Sequence, residues 1–402
     1  MPSAFPSALL GSGRPITLRG AGHSCDGQTV TDGELLVTYA PAAAAAQVRD
    51  LGAGLVEVPA GMSWYGLERY LNRRGRAVPV LPNYLHMSVG GTLSVGGAGV
   101  TSVRYGMQID HVERIQLTDG TGASRWCSRT ENPELFRFAL GGLGMVGLIE
   151  RAVLRTIPYH RYCHVHRTRH GTLTELVEHT ESIAQREDIG LHSAFLRRGE
   201  FGSVTGWVGA DGDRCDNQDC AVVADLPLRG QRWAPSELSS GHARLWTDYV
   251  VPAERFAQMV AAVEPLLHRA ASDRIRTELY VLIVRRAPEA GSFAFAPIDK
   301  APISLGLGVY TWLRRDQAPP IRRMFGDLMD RCCELGGRPY LYGVHDLDRT
   351  LAEQLYATDL DRLAQLRSAH RLEHINAHLP LARAAVSCSN SGQVHAADSG
   401  ML

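Results

Sequence analysis

Over residues 14–160 short apolar runs alternate with glycine-bearing turns, the pattern of a chain that reverses direction often. Ile16–Arg19 reads as a strand that runs into Gly20-Ala21-Gly22, and Glu34–Tyr39 and Leu55–Val58 read as further strands. Trp64–Leu71 carries apolar side chains at helical spacing and stops near Gly75. Val112–Leu117 alternates like a half-buried strand, Asp119-Gly120 is a hairpin signal, and Leu148–Leu154 predicts a closing strand. After Pro158 the glycines thin out and the segments lengthen. Leu173–Ala184 and Phe256–Ala270 predict helices, Leu279–Val284 and Ile303–Leu307 strands, and Ile321–Leu335 a helix stopped by Gly336-Gly337. Strands separated by helices in this order predict an antiparallel sheet with helices on one face, so the fold class is α+β. Beyond residue 345 the pattern is mostly helical, and from Ala384 it becomes small and polar, as a frayed tail does. The boundaries fall at 1–157, 158–344 and 345–402.

Composition narrows the function. The chain has 402 residues, enough for two or three domains, with 45% hydrophobic and 21% charged positions. Lys+Arg and Asp+Glu both number 42, which argues against an electrostatic nucleic-acid binder or a polybasic membrane anchor. No window approaches the ~20 apolar residues of a membrane span. The first residues lack a charged n-region and an h-region. The expectation is a cytoplasmic protein, monomeric or a small homo-oligomer, with no nucleic-acid or membrane partner. Its eight cysteines form no CxxC pair and read as reduced thiols. Lys300 is the only lysine, so a Schiff base has no other place to form. His164, His166 and His170 lie among arginines and read as a solvated strand face rather than a metal site. Trp246-Thr247-Asp248-Tyr249 offers an acid to a substrate pocket but reads first as a turn near a strand end, and Ser24 has no partners for a hydrolase triad.

Three glycine-rich stretches carry the strongest chemical signal: RGAGHSCDGQ at 19–28, YLHMSVGGTLSVGGAG at 84–99, and GGLGMVG at 141–147. Glycine lets backbone approach a ligand with no Cβ in the way, and consecutive amides form a nest for phosphate oxygens. The stretches contain neither a Walker A lysine nor a Rossmann fingerprint. Each adjoins strand-like sequence, which predicts a large dinucleotide lying across one domain.

These stretches, with RYGMQIDHVERIQLTDGTG at 104–122 and LFRFALGGLGMVGLIERAVL at 135–154, resemble the FAD-binding domain of the vanillyl-alcohol oxidase/PCMH flavoprotein superfamily. Among its members the cytokinin dehydrogenases look most similar. The resemblance covers 14–158, fades from 159 to 335, and returns at Arg338–Tyr342 and Arg371–Asn376. It implies a PCMH-type FAD-binding domain, a substrate domain with an antiparallel sheet flanked by helices, and a C-terminal return to the first domain. It implies that Arg19, Gly20, Ala21, Gly22, Ser24 and Gln28 surround the pyrophosphate. Ser88, Gly91, Thr92, Ser94, Ala98 and Ile149 match positions contacting diphosphate, ribose or adenine, and Tyr340 one near the isoalloxazine ring. It implies covalent FAD through His23. Some relatives add a cysteinyl bond, but 83–87 holds no cysteine, so a single bond is expected. Relative to the family, the first glycine loop lies very near Met1, and the opening strand and helix are largely missing.

One departure concerns catalysis. Cytokinin dehydrogenases carry a proton-accepting aspartate just before Tyr-Leu, where this chain has Asn83, and no glutamate partner aligns near Asp188–His192. An amide orients a substrate but does not take its proton. The remaining candidates are His192, Glu278, Tyr340 and Tyr342. The expected activity is FAD-dependent oxidation of a C–N or C–O bond in a small organic molecule, in bacterial specialised metabolism, with molecular oxygen or another electron acceptor. The alternatives are a non-redox cyclisation or isomerisation that uses flavin as a wall, and a flavin-binding sensor.

Overall fold

The computed structural model describes residues 4–31, 34–39, 44–209, 219–232, 241–286, 292–298 and 300–386. The first half of the chain builds a five-stranded antiparallel sheet. Its strands run in the order Arg49–Gly52, Leu55–Pro59, Leu148–Arg155, Val112–Thr118 and Ser124–Ser128. Ile16–Arg19 lies outside it, paired in parallel with Leu35–Thr38. The helix Trp64–Asn72 starts where the Ser63 side chain accepts a hydrogen bond from the Gly66 amide, and it buries Trp64, Leu67 and Leu71.

The middle of the chain forms an eight-stranded antiparallel sheet. Its order is Ala221–Ala224, Tyr162–His170, Glu200–Gly209, Leu191–Arg197, Arg276–Arg285, Ile303–Arg314, His242–Pro252 and Arg338–Pro339. Side chains alternate between its two faces. Leu245, Tyr249, Val251, Val281, Ile283, Leu305, Leu307 and Val309 pack in one core with the helices Leu173–Ala184, Phe256–Ser272 and Ala318–Glu334. The intervening positions, among them Trp246, Asp248, Tyr280, Gly306 and Tyr310, turn to the opposite face and line a cavity.

The end of the chain joins the core of the first half. Leu360, Leu372, Ile375 and Leu379 share one buried cluster with Val58, Leu67, Ile115 and Phe138. Ile375 bridges in parallel to Ile16, and the Asn376 side chain accepts from the Leu18 amide and donates to the Leu143 carbonyl.

Several expectations need correction. Trp246–Tyr249 is not a turn but the middle of the eleven-residue strand His242–Pro252. His164 is not solvated: it is buried, with its ring stacked on Trp207. Cys220 is disulfide-bonded rather than a reduced thiol. Ala384 and Ala385 are buried in a final helical turn instead of fraying. Cys215, Cys388 and residues 387–402 lie outside the described residues.

Candidate active site

The three glycine stretches, far apart in sequence, line one cavity of ≈ 730 Å³, within the ~300–1,000 Å³ typical of ligand sites. The strand Ile16–Arg19 delivers the first loop to it. Gly22 turns that loop at φ 76, a backbone region that favours glycine. Gly20 lies against the second stretch so closely that a Cβ there would stand 2.5 Å from Ser88 Oγ and 3.1 Å from Gly91 Cα. Ser88 Oγ is buried with no hydrogen-bond partner. A bare-backbone cradle with an unpartnered hydroxyl on its wall fits a bound polar group such as a dinucleotide phosphate. Arg19, on the same wall, adds a cation.

All the positions assigned above to the cofactor line this cavity: Arg19–Ser24, Gln28, Ser88, Gly91, Thr92, Ser94, Ala98, Ile149 and Tyr340. Four polar side chains are already engaged by protein, among them Ser94, whose Oγ donates to the Gly90 carbonyl at 2.8 Å. Gln28 Nε2 donates to the carbonyls of Leu341 and Gly343, at 3.0 and 2.9 Å, and so clasps the returning segment rather than pointing at phosphate. Thr92 Oγ1 accepts from Trp64 Nε1–H and donates to the Val89 carbonyl. The Tyr340 hydroxyl accepts from the Gly97 amide at 2.8 Å. The His23 ring stands 4.7 Å from the Tyr84 ring. Burial, then the charges of Arg244, Arg19 and His86, push its pKa below the usual imidazole value and keep it neutral.

Beyond the cradle the cavity continues into an aromatic chamber walled by Phe195, Trp246, Tyr280, Tyr310, Trp312 and Tyr342. Asp248 stands inside it. Its Oδ1 accepts from the Tyr310 hydroxyl at 3.0 Å and its Oδ2 from the Tyr342 hydroxyl. Burial raises the Asp248 pKa to about 6, against the lowering effect of the two phenol donors. Asn83 also lines the cavity, and its Oδ1 accepts from the Tyr280 hydroxyl at 3.2 Å. Tyr340 and Tyr342 meet edge to face at 5.0 Å.

Comparison with known proteins agrees with this layout. Residues 8–128 match the family model described as FAD binding domain. Over that stretch, which holds the first two glycine loops of the cradle, the chain is similar to an FAD-binding domain. Over 158 residues, 39% of the chain, it is 35% identical to an uncharacterized oxidoreductase of the fasciation locus in Rhodococcoides fascians. It is 31% identical over 205 residues, 49% of the chain, to cytokinin dehydrogenase 4 of Oryza sativa subsp. japonica. Over 141 residues, 34% of the chain, it is 38% identical to cytokinin dehydrogenase 4 of Arabidopsis thaliana. The chain covers 35%, 39% and 27% of the lengths of these relatives.

Outside the matched residues 8–128, two candidate bases stand differently from expectation. His192 is not at the cavity. In the strand Leu191–Arg197 it shares a parity with Ala194, which packs in the helix-side core, whereas Phe195 and Arg197 face the chamber. Its Nδ1 is 2.8 Å from Thr205 Oγ1, and its ring lies 6.2 Å from His179. Glu278 does line the cavity but is ion-paired with Arg276 and Arg197, at 2.6 and 3.0 Å. These arginines hold its carboxyl below the ordinary value despite burial, which makes it a weak base. Asp248 stands at the opposite parity from Leu245 and Tyr249, which pack in the helix-side core, and that strand alternation places it at the cavity.

The buried His192 predicts an acid weakness. Desolvation lowers its pKa from 6.5 to about 3, with smaller contributions from His179 and His170. Above pH ~6.5 both folded and unfolded forms are neutral and stability is full. As pH falls, the unfolded chain takes up a proton that the folded one refuses. Stability should fall by roughly 2 kcal/mol between pH 6.5 and 5 on this account alone. Urea unfolding of the wild type and His192→Asn at both pH values checks it: the variant should lose correspondingly less.

Proposed function

We propose that this chain is an FAD-dependent oxidoreductase that holds its flavin covalently through His23 and oxidises a C–N or C–O bond of a small organic molecule, in bacterial specialised metabolism. The observation that carries this reading is the continuity of one cavity from the glycine cradle to the aromatic chamber holding Asp248. A dinucleotide held along the cradle would present its ring system where the chamber begins. The bound cofactor supplies hydride-accepting chemistry, which the protein side chains lack. The backbone of Gly20, Gly91 and their neighbours leaves room for the diphosphate, with Ser88 Oγ free to donate to it. His23, kept neutral by its surroundings, offers a nitrogen lone pair suited to a covalent link. Phe195, Trp246 and Trp312 give the substrate an apolar bed and exclude water.

Acid precipitation of the purified protein tests the linkage. Yellow colour should stay with the wild-type pellet and move to the supernatant in His23→Ala; a colourless wild-type pellet beside a yellow supernatant rules out the histidyl bond. Anaerobic mixing with benzylic and allylic amines and alcohols tests the chemistry, because oxidation bleaches the flavin. A second reading draws on Asn83, an amide where the resembling family has a base: a cyclisation or isomerisation in which flavin is a wall. It predicts turnover with no bleaching.

A further inference from the structure

The chamber contains one carboxylate for which the family resemblance provides no role. We propose that Asp248 is the proton-accepting group of the substrate chamber, clamped by the hydroxyls of Tyr310 and Tyr342 and acting from the sheet rather than from the loop that carries Asn83. This rests on the oxidoreductase reading and deepens it.

Three features of the sheet build the group. The strand His242–Pro252 turns Trp246, Asp248 and Val250 to the cavity, so the carboxylate points inward from a rigid element. In register beside Asp248 on the next strand is Gly308, and beyond it Tyr280. A Cβ on Gly308 would stand 2.6 Å from Asp248 Oδ1 and 2.6 Å from the Tyr310 hydroxyl. The absent side chain is therefore what lets the carboxylate and the phenol meet. Each carboxylate oxygen takes one phenol donor, which stabilises the anion and fixes its orientation while lone pairs remain for a substrate N–H or O–H.

The titratable groups turned toward Asp248 come from every neighbouring element. Tyr280 and Tyr310 lie on adjoining strands, Tyr340 and Tyr342 on the segment after Pro339, and Cys25 on the loop after the first strand, while Arg244, on the Asp248 strand, lies over the Trp246 ring, 4.7 Å from its centroid. Burial pushes the phenols up, and Cys25 and Tyr280 reach about 12, so all stay neutral at physiological pH. The carboxyl, near 6, is ionised at neutral pH and basic enough to take a proton. In the oxidation the substrate X–H proton passes to Asp248, making the carboxylic acid. The adjacent C–H bond breaks with its electron pair leaving as hydride to an oxidised flavin, and the C=X double bond forms. Two electrons and one proton leave the carbon–hydrogen bond, one proton leaves X–H, and the sum balances.

Infrared difference titration of the flavin-loaded protein, wild type against Asp248→Asn, tests the assignment. A protonated-carboxyl band should grow in as pH falls through about 6 and be missing from the variant. In Tyr342→Phe, with one anion-stabilising donor gone, the band should appear at higher pH. Gly308→Ala keeps the carboxylate but crowds it, so its band should persist at a displaced midpoint; this variant serves if Asp248→Asn does not fold. A compound that bleaches wild-type flavin should bleach Asp248→Asn about 100- to 10,000-fold more slowly at unchanged flavin content. Absence of an Asp248-dependent band, or equal bleaching rates, overturns the assignment. Wild type that purifies without flavin, while the band is present, instead overturns the oxidoreductase reading.

Discussion

Gly20→Val is expected to give a folded protein that purifies without flavin colour. Gly20 is not at positive φ, so the backbone tolerates a side chain, and the effect is steric. The new Cβ would stand 2.5 Å from Ser88 Oγ and 3.1 Å from Gly91 Cα, and the second contact is backbone that cannot rotate away. The first and second glycine stretches must then separate. Such overpacking costs about 1–3 kcal/mol of stability, which a domain of this size survives. The cradle fares worse, since a bound diphosphate needs both stretches at one spacing. A loss of about 3 kcal/mol in affinity corresponds to roughly 100-fold or more. The ratio of flavin to protein absorbance after purification is the measurement. Gly326→Ala is the control: nothing lies within 4 Å of its Cβ, and its position in the helix Ala318–Glu334 favours alanine. Full flavin content in Gly20→Val would mean that the cradle has been placed on the wrong loops.

The cofactor half was legible in the chain because its chemistry sits in contiguous stretches: a glycine loop is local, and local spacing survives folding. The substrate half was not. Asp248, Gly308, Tyr280 and Tyr342 come from four separate segments, and only strand register brings them together. Trp246–Tyr249 resisted reading for a second reason. A strand usually shows polar residues on its wet face, yet here Trp246 faces the cavity while Thr247 is buried on the helix side. The inverted polarity erased the alternation that signals a strand. His192 misled in the opposite direction. The sheet is covered on both faces at Leu191–Ala194, so buried residues occupy both parities and the sequence does not say which side a histidine takes. Asn376 was legible as part of a family segment, but its role depends on φ 48 and on two contacts with chain more than 200 residues away, neither of which spacing reveals.

Arg367→Ala should detach the C-terminal return and cost about 3–5 kcal/mol of stability. Arg367 is 2% exposed, on the helix Arg349–Ala369. Its Nη1 donates to the Met145 carbonyl at 2.6 Å, and its Nη2 to the carbonyls of Ile375 and Glu373 at 3.0 and 3.2 Å. Burial lowers its pKa to about 10, which still leaves it charged at neutral pH. One guanidinium thus ties the third glycine stretch to the segment that bridges Ile16. Its removal strands the buried carbonyls of Met145 and Ile375 and opens a gap beside Leu372 and Ile375, both fully buried. Lysine keeps the charge but not the planar fork, so Arg367→Lys should recover less than half of the loss. Hydrogen exchange should show Ile16–Arg19 and 372–376 losing protection together while the sheet built from residues 162–314 keeps its own. Urea unfolding supplies the magnitude. A change below about 1 kcal/mol would show that the return segment is held by its apolar contacts alone.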